Sequence, residues 1–298
     1  MSGKQRFAGV ELGGTKCIAL LVEGNAILDQ VSVPTTSPRE TLPGVNQHLT
    51  RWQAEGGFAA LGIASFGPLQ LNPARPDFGR MLSTPKYGWS GADVAGTLTE
   101  GLTCPWNIDT DVNGAALAEY LWGAGAGCDS LCYITIGTGI GGGLLLHGRP
   151  IHGAMHPEIG HIRTRRMPGD TFGGICPFHG DCIEGLISGP ALAARFGAPA
   201  ETVPDTHPTW PDVAADIAEL AGTILLTTSA QRILFGGSVS AYRPFLLPMV
   251  RTRLVEQLSS YLPFLNAASA EDIIRLPALG TEAGPRGAIA LARGALGA

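Results

Sequence analysis

His161, Cys176, His179 and Cys182 place two imidazoles and two thiols within 22 positions of this chain, directly after Glu158-Ile159-Gly160. Four such groups can close a tetrahedral zinc site, and Cys-x-x-His-x-x-Cys brings three of them into one short loop. With four protein ligands the metal keeps no open position for water, so the expected zinc is structural and a zinc hydrolase is disfavoured. His156 is a rival ligand in the same stretch. Glu158 and Glu184 flank the loop, and a carboxylate can accept hydrogen bonds from neighbouring hydroxyls of a polyol. Two acids tied to one rigid loop therefore suit sugar recognition. One ring nitrogen of His161 can face zinc while the other addresses the sugar.

A second group of residues suits phosphate. Gly13-Gly14-Thr15-Lys16 offers main-chain N–H donors, a hydroxyl and an ammonium at one turn. Gly137-Thr138-Gly139-Ile140-Gly141-Gly142 repeats the device about 125 residues later, and Gly236-Gly237 closes a third strand. Neither turn has the Walker pattern, and the dinucleotide fingerprint fits badly because the first turn leads into a strand. Phosphoryl transfer to an alcohol also needs a carboxylate to accept the hydroxyl proton and a cation to offset spreading charge. Asp111, at a predicted helix start, is the candidate base, although the same position suits a helix cap. Glu11, beside the first turn, is the candidate for holding Mg2+ through water, or else an ordinary polar strand end.

The elements that must carry these residues alternate between strand and helix. Strands are expected at Phe7 to Leu12, Lys16 to Val22, Ala26 to Val33, Ala60 to Ser65, Trp106 to Ile108, Leu131 to Ile136, Gly143 to Leu146, Gln231 to Phe235 and Ile273 to Leu276. Helices are expected at Pro38 to Glu55, Asp111 to Trp122, Pro211 to Ser229, Arg243 to Tyr261 and from about Gly284. Between Gly67 and Tyr87 the chain reads as a loop of the kind that covers a ligand. This alternation predicts an α/β class, and the repeated strand, glycine turn and strand predict an internal duplication.

With 298 residues the chain has room for two domains, and 45% hydrophobic with 15% charged residues describes a globular protein. A net charge of -5 gives no general attraction to nucleic acid or anionic lipid, and no apolar run reaches the length of a membrane span. The first strand follows Met1 within about seven residues, without a signal-peptide core, so a cytoplasmic location is expected. There, Cys17, Cys104, Cys128 and Cys132 are expected as buried thiols.

Together these motifs resemble the ROK family of sugar kinases over nearly the whole chain. Glu11 to Lys16 resembles the first phosphate motif of that family, Asp111 to Glu119 its Asp-x-Asn helix, Gly137 to Gly143 its second phosphate turn, and His156 to His161 its Glu-x-Gly-His sugar motif. Glu11 in place of the usual Asp, the shorter cysteine loop, Thr84-Pro85-Lys86 and Trp89 resemble the bacterial fructokinase branch. The resemblance implies an actin-like ATPase (ribonuclease H-like) fold of two duplicated α/β domains with a cleft between them. Their expected extents are 1–112 with a C-terminal helix over about 284–298, and 113–283 with a zinc loop at 161–182.

It further implies a homodimer that phosphorylates a hexose at the 6-hydroxyl with Mg2+ and ATP. Asp111 would be the base. Asn113, Glu158, His161 and Glu184 would contact sugar, while Gly13, Gly14, Thr15, Lys16, Thr138, Gly139, Pro190, Gly236 and Gly237 would contact ATP. Fructose is the leading substrate, with mannose, glucose or an N-acetylhexosamine as alternatives, and a non-catalytic sugar sensor as the other class. Repressor relatives carry a DNA-binding segment ahead of the sugar domain, for which the early first strand leaves no expected place.

Overall fold

In the computed structural model, which describes residues 5–297, the chain forms two compact units. One comprises the chain up to Leu121, with Arg149–His156 and the chain from Thr281, and the other comprises Trp122–Gly148 and Pro157–Gly280. The division falls at Leu121 instead of residue 112 because the helix that begins at Asp111 packs with the first unit.

The first unit is built on β1 (Arg6–Leu12), β2 (Lys16–Glu23), β3 (Ala26–Pro34), β4 (Leu61–Ser65) and β5 (Trp106–Thr110), in the order β3-β2-β1-β4-β5. β1 pairs antiparallel with β2 and parallel with β4, which continues parallel to β5. β4 is buried along its whole length, as a strand covered on both faces must be. Edge strand β3 instead alternates exposed and half-buried positions. Helix α1 (Pro38–Ala54) buries Leu42, Val45, Leu49 and Trp52, a helical spacing that gives one apolar face to the core. A short helix α2 (Val94–Thr99), not among the expected helices, is capped by Asp93, whose side chain accepts from the Gly96 N–H.

The C-terminal helix, Ala283–Gly294, closes on this sheet so tightly that Gly62 has no room for a side chain. A Cβ there would lie 1.9 Å from the Ala288 carbonyl oxygen and 2.4 Å from the Ala292 nitrogen. Both obstacles are backbone, so Gly62→Ala must push the helix off the sheet. We expect it to destabilise the protein by about 3 kcal/mol, read by chemical denaturation; an unchanged midpoint would mean that the helix does not dock there.

In the second unit the hairpin of Ser130–Ile136 with Ile140–Leu146 is antiparallel, Arg232–Gly236 lies parallel to Ser130–Ile136, and Ile274–Arg275 lies parallel beyond it. This repeats the pattern of β1/β2 with β4 and β5, which agrees with the duplicated glycine turns. The expected strand from Gly143 starts earlier, at Ile140, because the glycine run is itself strand. Gly142 is needed there: its Cβ would meet Ile159 Cδ1 at 2.7 Å.

The expected helix from Arg243 to Tyr261 is shorter, Leu246–Leu258, and a separate helix, Gly237–Tyr242, precedes it. Pro244 disfavours helical backbone at the residue before it and breaks the run. The expected strand Ile273 to Leu276 shortens to Ile274–Arg275, because Ala270–Ile273 is a helical turn with Glu271 and Asp272 at its positive end. Among the described residues no helix is long and apolar enough to cross a membrane.

Candidate active site

Asp111 is the first residue of helix α3 (Asp111–Trp122), at the end of β5. The capping bond comes from its neighbour: Thr110 Oγ1 accepts from the Asn113 N–H at 3.2 Å. Asp111 is therefore not needed as a cap. Its Oδ1 accepts from the Val112 N–H at 2.9 Å, and burial raises its pKa to about 6 against the lowering effect of that bond. A carboxyl with such a pKa is ionised near neutral pH yet basic enough to take a proton.

Glu11 is the penultimate residue of β1 and is half-buried between the buried Val10 and Leu12. Burial, then the charge of Asp111, push it to about 7, with Lys16 acting in the opposite direction. Gly284 makes the space for its carboxylate, since a Cβ there would lie 1.9 Å from Glu11 Oε1. A carboxylate whose ionisation is opposed by burial and by a neighbouring carboxylate is a hard oxygen donor suited to Mg2+, whose charge offsets that cost.

Asp109 was not singled out by sequence, and the structure gives it the densest bonding in this region. Its Oδ1 accepts from the Thr110 N–H and from Asn113 Nδ2, each at 2.7 Å, and its Oδ2 lies 3.0 Å from His152 Nε2. The Asp-Thr-Asp spacing around Thr110 was the available signal, because alternate residues at a strand end face one side. Asn113, expected as a sugar contact, is buried and gives its amide N–H to Asp109.

The first phosphate turn is held from below and open above. Thr35 Oγ1 donates to the Gly13 carbonyl at 2.8 Å, and Lys86 Nζ to the Gly14 carbonyl at 2.5 Å. Gly14, Thr15 and Lys16 are exposed. In the second unit Thr138 is exposed at the matching turn, and Gly189 N–H donates to the Gly137 carbonyl at 2.7 Å. Gly237 has φ +84° and packs on Ile136, where a Cβ would approach the backbone to 2.4 Å, so only glycine fits. Beside these glycines lies a cavity of about 310 Å3 lined by Pro190, Ala193, Ala200, Ser238, Val239 and Tyr242. Mostly apolar walls next to main-chain donors suit a nucleoside with its phosphates.

His161, Cys176, His179 and Cys182 converge, with all four ligand atoms within 4.8 Å of one another. His161 Nδ1 lies 3.5 Å from Cys182 Sγ and 3.8 Å from Cys176 Sγ, and His179 Nδ1 lies 3.8 Å from Cys176 Sγ. Ligands at zinc bond lengths around a tetrahedron are separated by roughly 3.5 Å, so the set fits the metal. Burial first, with Cys176 and Glu184 adding to it, pushes the Cys182 thiol up to about 11, a penalty that a divalent cation would relieve.

The loop is pinned by paired bonds between Cys176 and Gly180, 3.0 and 2.9 Å, with Gly180 at φ +65°. His156 is not part of this cluster: it is buried in the first unit, where its Nε2 accepts from the Leu69 N–H at 3.1 Å. Glu184 Oε2 accepts from the Ile140 N–H at 3.0 Å, which ties the zinc loop to the second phosphate turn. Glu158 is exposed and its carbonyl accepts from the His161 N–H at 3.0 Å, at the short helical turn Ile159–His161.

A family model described as the ROK family matches residues 7–295. The chain belongs to the ROK family. Among relatives of this ROK chain, a fructokinase from Zymomonas mobilis subsp. mobilis is 42% identical, with 97% of each chain covered. A putative fructokinase from Bacillus subtilis is 38% identical over 97% of this chain and 96% of its own length. The solved ROK hexokinase from Thermus thermophilus aligns with a TM-score of 0.76 at 27% identity, covering 98% of this chain and 99% of the other. The two-sheet α/β architecture described above is thus that of the ROK sugar kinases, the actin-like ATPase fold.

Proposed function

We propose that this protein is an ATP-dependent fructokinase that transfers the γ-phosphoryl group of ATP to the 6-hydroxyl of D-fructose. The likeness at 42% identity to a fructokinase across 97% of both chains carries the reading. The carboxylate of Asp111, raised in pKa by burial and not needed as the helix cap, supplies the chemistry it requires. Asp111 accepts the proton of the attacking hydroxyl, so the oxygen that reaches phosphorus carries developing negative charge only as the new bond forms.

The exposed residues Gly14, Thr15, Lys16 and Thr138, with half-buried Gly13 and Gly139 shaping the two turns, bind phosphate oxygens, and the cavity beside Pro190, Gly236 and Gly237 takes the nucleoside. Mg2+ bound with ATP supplies neutralising charge, and Glu11 is the residue that would hold it. Asn113, Glu158, His161 and Glu184 bind the sugar. His161 turns Nδ1 to the thiols, which leaves Nε2 for a hydroxyl, and zinc acts as a structural staple for that loop. The protein works as a cytoplasmic homodimer.

A steady-state panel of fructose, mannose, glucose and N-acetylglucosamine with ATP tests the substrate. We expect the highest kcat/KM with fructose, by about tenfold or more, the scale on which a site built to hydrogen-bond a given hydroxyl rejects its isomers. A higher value for another hexose would reassign the substrate, and no ADP release with any of them would remove the kinase reading.

A further inference from the structure

Asp109 and His152 form a carboxylate–imidazole pair in the first unit, two residues ahead of the proposed base. The Asp109 side chain is 4% exposed and that of His152 is 38% exposed, so one partner is sealed and the other faces solvent. An ionised carboxylate can only accept hydrogen bonds. His152 Nε2, 3.0 Å from Asp109 Oδ2, must therefore carry the proton, and in the neutral ring Nδ1 is then an acceptor. The orientation is enforced from the other side as well, since the Thr110 N–H and Asn113 Nδ2 both donate to Asp109 Oδ1 and hold the carboxylate still.

The segment that carries His152 is fixed at its far end too. His156, four positions later, is buried and accepts the Leu69 N–H at 3.1 Å through Nε2, with Gly67 packed on its ring at a spacing that would leave a Cβ 3.4 Å away. Residues 149–156 are in this way strapped to the unit that bears Asp111, and among the described residues His152 Nδ1 has no hydrogen-bond partner in the protein. An exposed acceptor with a fixed tautomer, on the junction that starts the Asp111 helix, is suited to an O–H donor. A polyol brings such donors to that junction.

We propose that His152, with its tautomer set by Asp109, accepts a hydrogen bond from a hydroxyl of the bound hexose and so contributes to sugar selection. This rests on the kinase reading given above. Asp109 is a positioning residue in this arrangement, acting only through the imidazole.

The test separates an acceptor from a structural strap. His152→Ala should raise the KM for fructose about tenfold, the scale of one sugar hydroxyl left without its partner, while the KM for ATP stays within about twofold and kcat changes little. His152→Gln can donate to Asp109 and still accept from a hydroxyl, so it should recover most of the fructose KM. His152→Lys still donates to Asp109 but has no acceptor, so it should behave like the alanine variant. A lysine variant with wild-type fructose KM would reduce the pair to a strap and overturn the proposal. So would an alanine variant whose two KM values rise together or not at all. If the alanine variant does not fold, the glutamine and lysine variants decide the question alone. If the wild type prefers another hexose, the same comparison is made with that sugar, so a wrong substrate and a wrong role for His152 are told apart; if no hexose is phosphorylated, both readings fall.

Discussion

Asp111→Asn is expected to lower kcat by at least about 10² while leaving the KM for fructose within a few-fold, which is the signature of a lost proton acceptor. The change is nearly isosteric, and helix α3 should survive it because Thr110 supplies the cap. A carboxamide can still accept a hydrogen bond from the sugar but cannot take its proton. The pH dependence gives a second handle. Burial holds Asp111 near a pKa of about 6, so below that pH the carboxyl is protonated and cannot act as a base. Wild-type turnover should fall about tenfold per pH unit on the acid side of 6. Above it, Asp111 is ionised and the rate levels. The residual activity of Asp111→Asn should lack this acid limb. Equal turnover in the variant, or an unchanged acid limb, would remove Asp111 from the role.

The second large effect concerns the metal. Cys182 is fully buried and its sulfur lies 3.5 Å from His161 Nδ1, so Cys182→Ser removes the most enclosed ligand of the four. Protein grown with zinc should hold about one equivalent per chain, on four-ligand stoichiometry, and the serine variant should hold less than about a tenth of that. Loss of the staple loosens the 162–182 loop near its ligands, where the remaining ties are bonds such as Ile183 N–H to the Ile162 carbonyl at 2.9 Å and Arg163 to Asp181 at 3.2 Å. We expect new protease cleavage inside the loop. We also expect a fall of about tenfold or more in kcat/KM for fructose, since His161 and Glu184 both depend on the loop for position. Plasma emission spectroscopy measures the metal, and a variant that keeps stoichiometric zinc would dismiss the site.

Much of this chemistry was readable from the chain because it is local. The Cys-x-x-His-x-x-Cys loop, the two glycine turns and the Asp111 helix start are each defined by residues close in sequence, where spacing and backbone preference decide geometry. Errors arose where neighbours in space compete. Pro244 delays to Leu246 a helix expected from Arg243, and Gly141 and Gly142, expected as turn, are strand, with Ile159 packed against Gly142. His156 could have been a zinc ligand by spacing alone, but the Leu69 N–H, 87 positions away, holds it elsewhere.

The amino-acid sequence by itself determined the inventory: which side chains can take a proton, hold a metal or face phosphate, and the strand and helix alternation that must carry them. Only the tertiary structure decided which of them meet. Asp109 and His152 are 43 positions apart, and Gly284 reaches Glu11 from the other end of the chain. Such pairings follow from sheet register and from how closely a helix can approach a strand, and these depend on packing summed over the whole unit, which no short window of residues contains.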